Sequence, residues 1–285
     1  MIKTPLSTVI GGAFWTPGAT VIGGNTPTFD QYIRKLFANN EQGFAYDPND
    51  LTTMWQDEAK LLPVTGEGQP VWHILDKSGN NNHAFATSSA TRPILQRNAT
   101  TGAYYLAFDG ADDFLVTNNI NFTAADKVSL FAGVLKMPAT AVNMLCELSS
   151  SSSAAYQANA FYLAVPETLT GTVFFRSRAT ILPGQIAKAE SGSGMRNCVI
   201  TAKSDIPNGL NTVSIDGVLG TPFIGDLGVG QLGNYPLYIG RRGGIQFPFN
   251  GHIYGLIGIG KLTSDSETAA IEKELAKRVG VTINV

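Results

Sequence analysis

The chain has 285 residues with 15% charged side chains, 31 glycines and a formal net charge of -2. A typical soluble domain carries roughly 25% charge and about 7% glycine, so this composition suits a compact β-protein whose surface is partly covered by neighbours. Near-neutral charge gives no electrostatic reason to expect nucleic acid or an anionic membrane as partner, and two cysteines, Cys146 and Cys198, with three histidines make neither a disulfide framework nor a convincing zinc cluster.

Residues Met1 to Thr28 hold no charge except Lys3, and the pentapeptide Thr-Val-Ile-Gly-Gly stands at Thr8 to Gly12 and again at Thr20 to Gly24. An apolar stretch this rich in glycine does not offset its own ordering entropy, so it is expected to be disordered or laid against something else. Val9, Ile10, Phe14, Trp15, Val21 and Ile22 are its candidate docking side chains. Two arrangements are open: a further strand in the chain's own sheet, or strand addition to another subunit. Pro5, Gly11, Gly12 and Pro17 break the stretch, so it lacks the continuous apolar region of a signal peptide and cytoplasmic synthesis is expected. No apolar run approaches the roughly 18 residues that would suggest a membrane span.

Thr28 offers an N-cap for a short helix whose Phe29, Tyr32, Ile33, Leu36 and Phe37 share one face, and Asn39 and Asn40 end it. From Phe44 the pattern turns to short apolar runs between turn signals, which predicts an all-β protein. Strands are expected around Tyr104 to Phe108, Phe114 to Thr117, Val128 to Lys136, Met144 to Leu148, Phe161 to Val165 and Val173 to Arg178. Further ones follow around Cys198 to Lys203, Thr212 to Ile215, Leu237 to Gly240 and His252 to Ile259, with Asp216-Gly217 as a hairpin turn. In the last strand Ile253, Ile257 and Ile259 share a parity with Gly255, and Tyr254, Leu256 and Gly258 take the other, so both faces are apolar and the strand belongs in mid-structure. Ser264 and Glu267 form a capping box for a C-terminal helix with a buried stripe of Ala269, Ala270, Ile271, Leu275 and Val279. Glu272, Lys273, Lys277 and Arg278 are expected to be largely in solvent.

Several segments share an order and spacing with one family. They are Tyr46-Asp47-Pro48-Asn49-Asp50-Leu51, Gly68-Gln69-Pro70-Val71, and Leu75 through Ala84 with its Asp-Lys-Ser-Gly-Asn-Asn-Asn-His core. Arg92-Pro93, Phe108-Asp109-Gly110-Ala111-Asp112-Asp113-Phe114, Tyr238-Ile239-Gly240 and Phe249-Asn250-Gly251-His252-Ile253 complete the set. From about Phe44 to the C-terminal helix the chain resembles the concanavalin-A-like, laminin-G-like domains common in bacteriophage and prophage proteins. The resemblance implies a two-sheet antiparallel jelly-roll sandwich over residues 44–285, preceded by an arm and short helix over residues 1–43. It also implies a virion structural protein of tail, fibre or head, made in the host cytoplasm. Its partners would be other virion proteins and a homo-oligomer, with a trimer expected, and its arm a docking segment. The fold by itself implies no activity, because it hosts lectins, hydrolases and structural modules.

Asp109, Asp112 and Asp113 are the candidate calcium ligands, since some laminin-G-like relatives bind that ion; the competing reading is that they accept hydrogen bonds from turn amides. No cofactor is expected unless these carboxylates hold calcium. Sugar stacking needs exposed aromatic faces, and Trp55, Trp72, Tyr156, Tyr235 and Phe247 fall in or near predicted loops, which makes a host-surface glycan an alternative partner. The long segments Leu182 to Asn197 and Ile224 to Pro236 are candidate partner surfaces. Hydrolysis is disfavoured. The only Glu-x-Glu is Glu272 and Glu274 on a helix, no strand carries a carboxylate pair at that spacing, and the serine run Ser149 to Ser153 lacks a Gly-x-Ser-x-Gly setting. His73, His83 and His252 are read as structural, and the chain is expected not to be an enzyme.

Overall fold

The computed structural model describes residues 8–10, 13–15, 28–138, 141–150, 157–167, 171–180 and 186–283, of which 8–10 and 13–15 as backbone alone. In chain order the elements are β1 (Thr8–Ile10), β2 (Ala13–Trp15), α1 (Phe29–Leu36), β3 (Gly43–Tyr46), β4 (Met54–Trp55), β5 (His73–Ile74), β6 (Ala84–Phe85), β7 (Ile94–Arg97), β8 (Tyr104–Asp109), β9 (Leu115–Asn121) and β10 (Lys127–Lys136). There follow β11 (Met144–Leu148), β12 (Ala160–Ala164), β13 (Thr172–Arg178), β14 (Ile186–Glu190), β15 (Arg196–Asp205), β16 (Leu210–Ile215), β17 (Val218–Leu219), β18 (Phe223–Ile224), β19 (Asn234–Ile239), β20 (Asn250–Ile259) and α2 (Asp265–Val279).

Two nine-stranded antiparallel sheets face each other. The back sheet runs β17-β16-β15-β10-β20-β8-β7, with β18 also on β16 and β3 also on β20; the front sheet runs β14-β13-β12-β11-β19-β9-β6-β5-β4. This is the sandwich the sequence resemblance implies. Between the sheets lie the inward residues of alternating strands, Leu130, Ala132 and Val134 from the back and Leu145, Leu163, Phe175 and Leu237 from the front among them. Each such fully buried large apolar side chain stabilises the fold by about 1.5–3 kcal/mol. Cys146 and Cys198 are free and buried, and burial pushes both thiols up to about 12.

A second apolar layer lies between the back sheet and the helices, where Phe29, Ile33 and Leu36 of α1 and Ile271, Leu275 and Val279 of α2 meet Phe131, Tyr254, Ile257 and Ile259. Both helices begin with the cap expected of them: Thr28 is bonded reciprocally with Gln31, and Ser264 with Glu267. Strand β20 is central and apolar on both faces, but not with the simple parity of its sequence. Its pairing with β10 shifts between Gly133 and Val134, so Ile253 and Leu256 face the inner core while Tyr254, Ile257 and Ile259 face the helices. Gly133 pairs with Gly255, and a Cβ on either would meet α2, at 3.2 Å from Val279 Cγ1 and 2.9 Å from Leu275 Cδ2 respectively. The paired glycines make a flat seat on which the helix lies close to the sheet.

Two of the α2 charges expected in solvent are not there. Glu272 is buried and accepts a 2.6 Å hydrogen bond from Thr201 Oγ1. Arg278 donates to both carboxylate oxygens of Asp47, at 2.7 and 3.1 Å, and lies 3.9 Å from the centre of the Phe29 ring. Lys273 and Lys277 are exposed as expected, and Ala269 and Ala270 are only half-buried. The helix therefore sits rotated about its axis relative to the apolar stripe, because polar partners on β15 and beside β3 receive its charges.

The family-like loop from Leu75 to Ala84 is a hydrogen-bonded knot. Asp76 accepts from the amides of Ala45, Ser78 and Asn82, and His83 Nδ1 accepts from the Asp76 amide. The Asp216-Gly217 turn has φ of 53° and 79°, the left-handed pair that a tight hairpin requires. Leu182 to Asn197 is not one loop, since it contains β14. Strands β1 and β2 pair only with each other, so at residues 8–10 and 13–15 the arm forms a separate ribbon and adds no strand to either large sheet.

Candidate functional site

The helices occupy the outside of the back sheet, whereas no helix crosses the front sheet among the described residues. Cross-strand pairing puts one residue from each front strand into a single row: Trp55, His73, Phe85, Val116, Tyr238, Glu147, Tyr162, Arg176 and Ile186, from β4 across to β14. Directly paired residues share a face. Their strand neighbours Met54, Ile74, Ala84, Leu115, Leu237, Leu163, Phe175 and Ala187 belong to the inner core, which fixes the row on the outside.

The row has two halves. From Trp55 to Tyr238 it is mainly aromatic and half-exposed. The His73 and Phe85 rings are 6.2 Å apart, Lys60 Nζ lies 5.7 Å from the Trp55 ring, and His73 Nε2 is 2.9 Å from the Glu58 carbonyl oxygen. Burial lowers the His73 pKa against the opposing pull of that carbonyl, so the imidazole is neutral at pH 7. The Tyr238 hydroxyl is raised by burial and by the nearby Glu147 carboxylate.

From Glu147 onward the row is buried and charged. Arg242 Nε donates to Glu147 Oε2 at 2.9 Å, and both side chains are nearly inaccessible. The Arg242 guanidinium lies 5.1 Å from the centres of both the Tyr162 and Phe247 rings, and that of Arg176 lies 5.5 Å from the Tyr162 ring. Burial raises the Glu147 pKa and Arg242 opposes the rise; Glu167 is likewise raised by burial and held back by Arg176. Phe247 has φ of 53°, a left-handed conformation costly for a bulky residue, and the loop fixes it through the 2.9 Å bond from the Met144 amide to its carbonyl.

Of the aromatic candidates, Trp55 and Phe247 belong to this face. Trp72 and Tyr235 are partly buried and pack against the inner core. Tyr156, Val21 and Ile22 lie outside the described residues, and Val9, Ile10, Phe14 and Trp15 are placed only as ribbon backbone. Phe85, Tyr238, Glu147, Tyr162, Arg176 and Arg242 were not among the candidates, although the parity of Tyr238 between Leu237 and Ile239 already points it outward.

The carboxylates of Asp109, Asp112 and Asp113 do converge, with ligand atoms within 4.8 Å of one another. Asp109 Oδ1 accepts from the Ala111 and Asp112 amides, and Asp113 Oδ2 from the Asp109 amide. These are the turn bonds of the competing reading, and with the Asp109 and Asp113 carboxylates partly committed to amides the cluster by itself falls short of the six to eight oxygens calcium takes. Burial, then the charge of Asp109, raises the Asp113 pKa to about 7.

No protein-family model and no curated protein matches the chain. Solved structures do match it. The receptor-binding domain of botulinum neurotoxin D superposes with a TM-score of 0.55 at 11% identity, over 83% of this chain and 53% of that one. The serotype D ligand-binding domain in complex with N-acetylneuraminic acid gives 0.53 at 13% identity over 83% and 51%. The binding domain of botulinum neurotoxin DC in complex with rat synaptotagmin II gives 0.53 at 11% identity over 83% and 52%. The chain thus spans about half the length of the structures it resembles, and at this identity the likeness establishes the sandwich fold.

Proposed function

We propose that the chain is a carbohydrate-binding, receptor-recognising module that meets its ligand on the outer face of the front sheet. The observation that carries this reading is the half-exposed aromatic band Trp55, His73, Phe85 and Tyr238, set in register on a rigid sheet. Aromatic faces stack on the C–H faces of sugars, and the flanking imidazole, phenol and carbonyl groups supply hydrogen bonds. The fold neighbours lend support, since one is a complex with N-acetylneuraminic acid and another a complex with a protein receptor. No catalytic step is part of the proposal.

The setting we propose is the one the sequence resemblance implies: a bacteriophage virion component of tail, fibre or head, made in the host cytoplasm and displayed as a homo-oligomer. Residues 44–285 would be the displayed module and residues 1–43 the arm that docks on other virion proteins. The self-paired β1–β2 ribbon supports this division, because residues 8–10 and 13–15 pair with each other and with neither sandwich sheet.

Glycan-array binding followed by titration tests the module. Phe85→Ala and Tyr238→Ala are each expected to weaken binding by about tenfold, the scale of one lost aromatic contact. An array without signal, or variants that bind as well as the parent, overturns the reading. For the arm, removal of Met1 to Thr28 should leave a folded module that no longer enters particles; normal incorporation would end the docking idea.

A further inference from the structure

A recess opens on the opposite side of the molecule, beside α2. That helix packs on β10, β15 and β20 of the back sheet, so the next strand outward, β16, lies beside the helix rather than beneath it. The floor of the recess is the outward parity of β15 and β16. Thr201 pairs there with Ser214 and Lys203 with Thr212, while Ala202, Val213 and Ile215 between them belong to the inner core. Leu219 of β17 pairs with Ser214 and, 60% exposed, closes the far side. The near wall is one face of α2, where Asp265, Thr268, Ala269 and Glu272 recur at helical spacing. The recess holds ≈ 440 Å³, within the range of roughly 300–1,000 Å³ usual for small-molecule sites. It is also why Ala269, expected in the buried stripe, is only half-buried.

The polar groups of this lining are not all used by the protein. Glu272 is 3% exposed, yet it accepts a hydrogen bond only at Oε1, from Thr201 Oγ1, and Oε2 faces the recess with no partner among the described residues. A carboxylate has room for about four hydrogen bonds, and a buried one left short of donors destabilises the fold. Lys203 Nζ donates to the Thr263 carbonyl at 3.2 Å and to Thr268 Oγ1 at 2.8 Å, which leaves its third N–H. The hydroxyls of Thr212 and Ser214 reach only backbone carbonyls of β15, at 3.5 and 3.4 Å. Contacts that long are weak, so both hydroxyls are free to turn toward a ligand.

We infer that this recess is a second ligand site, taking a small neutral polyhydroxylated molecule about the size of one sugar ring. Charges of both signs stand in its lining, Lys203 against Asp265 and Glu272, together with hydroxyls that both donate and accept. A ligand with a single charge is repelled by part of such a lining. A neutral polyol is not: one of its hydroxyls donates to Glu272 Oε2, and a neighbouring one accepts from Lys203 or from a floor hydroxyl. The buried carboxylate thereby gains the donor it lacks, in a charge-assisted hydrogen bond. Leu219 and Ala269 offer apolar contact to the carbon skeleton. No aromatic ring occurs among the lining residues, which separates this site from the stacking surface of the front sheet. The inference goes beyond the front-face reading and does not depend on it, since the two sites lie on opposite faces of the sandwich.

Amide-resolved NMR titration of the full chain with glucose, galactose and mannose is the test, and on the parent protein it locates the site without any variant. Saturable shifts at millimolar sugar are expected at Thr201, Lys203, Thr212, Ser214, Ala269 and Glu272. Glu272→Gln keeps an acceptor for Thr201 but sets an amide where Oε2 stands. It should weaken binding by about tenfold, the scale of one lost hydrogen bond to a charged group. Ala269→Leu should weaken it by bulk alone, without touching a polar group, and thermal unfolding checks that both variants are folded. Hexoses that shift only the front-face residues Trp55, His73, Phe85 and Tyr238, or that bind parent and both variants equally, overturn the second site and leave the module reading standing. Shifts in the recess with no glycan bound on the front face support the second site and overturn the module reading. Binding of putrescine or glycine in the recess, with no hexose bound there, overturns the assignment of a neutral polyol. No shift in the recess with any of these probes overturns it as a ligand site.

Discussion

Asp113 and His252 hold opposite protonation preferences within the same pH range. The Asp113 carboxyl is raised to about 7 by burial and by Asp109, while an unfolded Asp titrates near ~3.9. Between these values the folded state binds more protons, so its contribution to stability is fully present below pH ~3.9 and lost as pH rises through about 7. His252 runs the other way. Burial lowers it to about 4, its Nδ1 has no partner among the described residues, and its ring stacks on Tyr105 at 4.0 Å. An unfolded His takes its proton near pH ~6.5, so stability from this residue is lost as pH falls from there to about 4. The two slopes oppose each other and partly cancel. Asp113→Asn should therefore expose a stability that rises with pH, with a gain of roughly 1–2 kcal/mol at pH 8 after allowance for solvent screening. His252→Phe, which keeps the ring, should expose the reverse. Urea unfolding of the parent and both variants at pH 4.5, 6 and 8 is the check, and parallel pH profiles would refute the assignment. Repeating it with calcium tests the acidic cluster, since a bound cation would abolish the raised Asp113 pKa.

At the scale of elements, the seat of α2 and the buried ion pair give the sharpest tests. Gly133→Val would drive two methyl groups into Val279 and Leu275, where even a Cβ already comes within 3.2 Å. A loss of about 1–3 kcal/mol is expected, as for overpacking elsewhere, together with weaker amide-exchange protection in α2. Arg242→Met should cost about 3–5 kcal/mol by leaving Glu147 buried without its cation, and adding Glu147→Leu should restore most of it. Denaturant midpoints decide both.

The same elements show what a sequence can and cannot disclose. The long strands were legible because alternation over many residues is a strong signal, and so were both helix starts, where Thr28 and Ser264 carry local caps. Strands β4, β5 and β6 are two residues each and exist only through partners far along the chain, so no local pattern marks them. The slip at Gly133 misplaced Ile253 for the same reason. In the site, Arg176 and Arg178 read as ordinary outward charges of an alternating strand. Both are buried, which alternation does not encode. Glu272 was assigned to solvent because helical spacing alone does not reveal Thr201 opposite it.

Over the whole molecule, the margins of the two sheets are occupied. At one end Lys188 of β14 and Thr221 exchange both backbone bonds, at 2.9 and 2.7 Å, joining the edges of front and back. At the other, Gln69 and Gly68 bond to Leu95 of β7, and Val64 bonds to Met54 of β4. Two of the other edge strands, β17 and β18, are only two residues long. Free strand edges are templates for indiscriminate backbone pairing, and among the described residues these contacts close part of both sheet margins. Neighbours must then be met through side chains. Backbone pairing is nearly blind to sequence, whereas a side-chain face is not, and on the front sheet the two faces alternate residue by residue along the same strands. Substitution at one parity can thus change what the molecule recognises while the other parity keeps its interior, so recognition and folding are free to vary separately in a single stretch of chain.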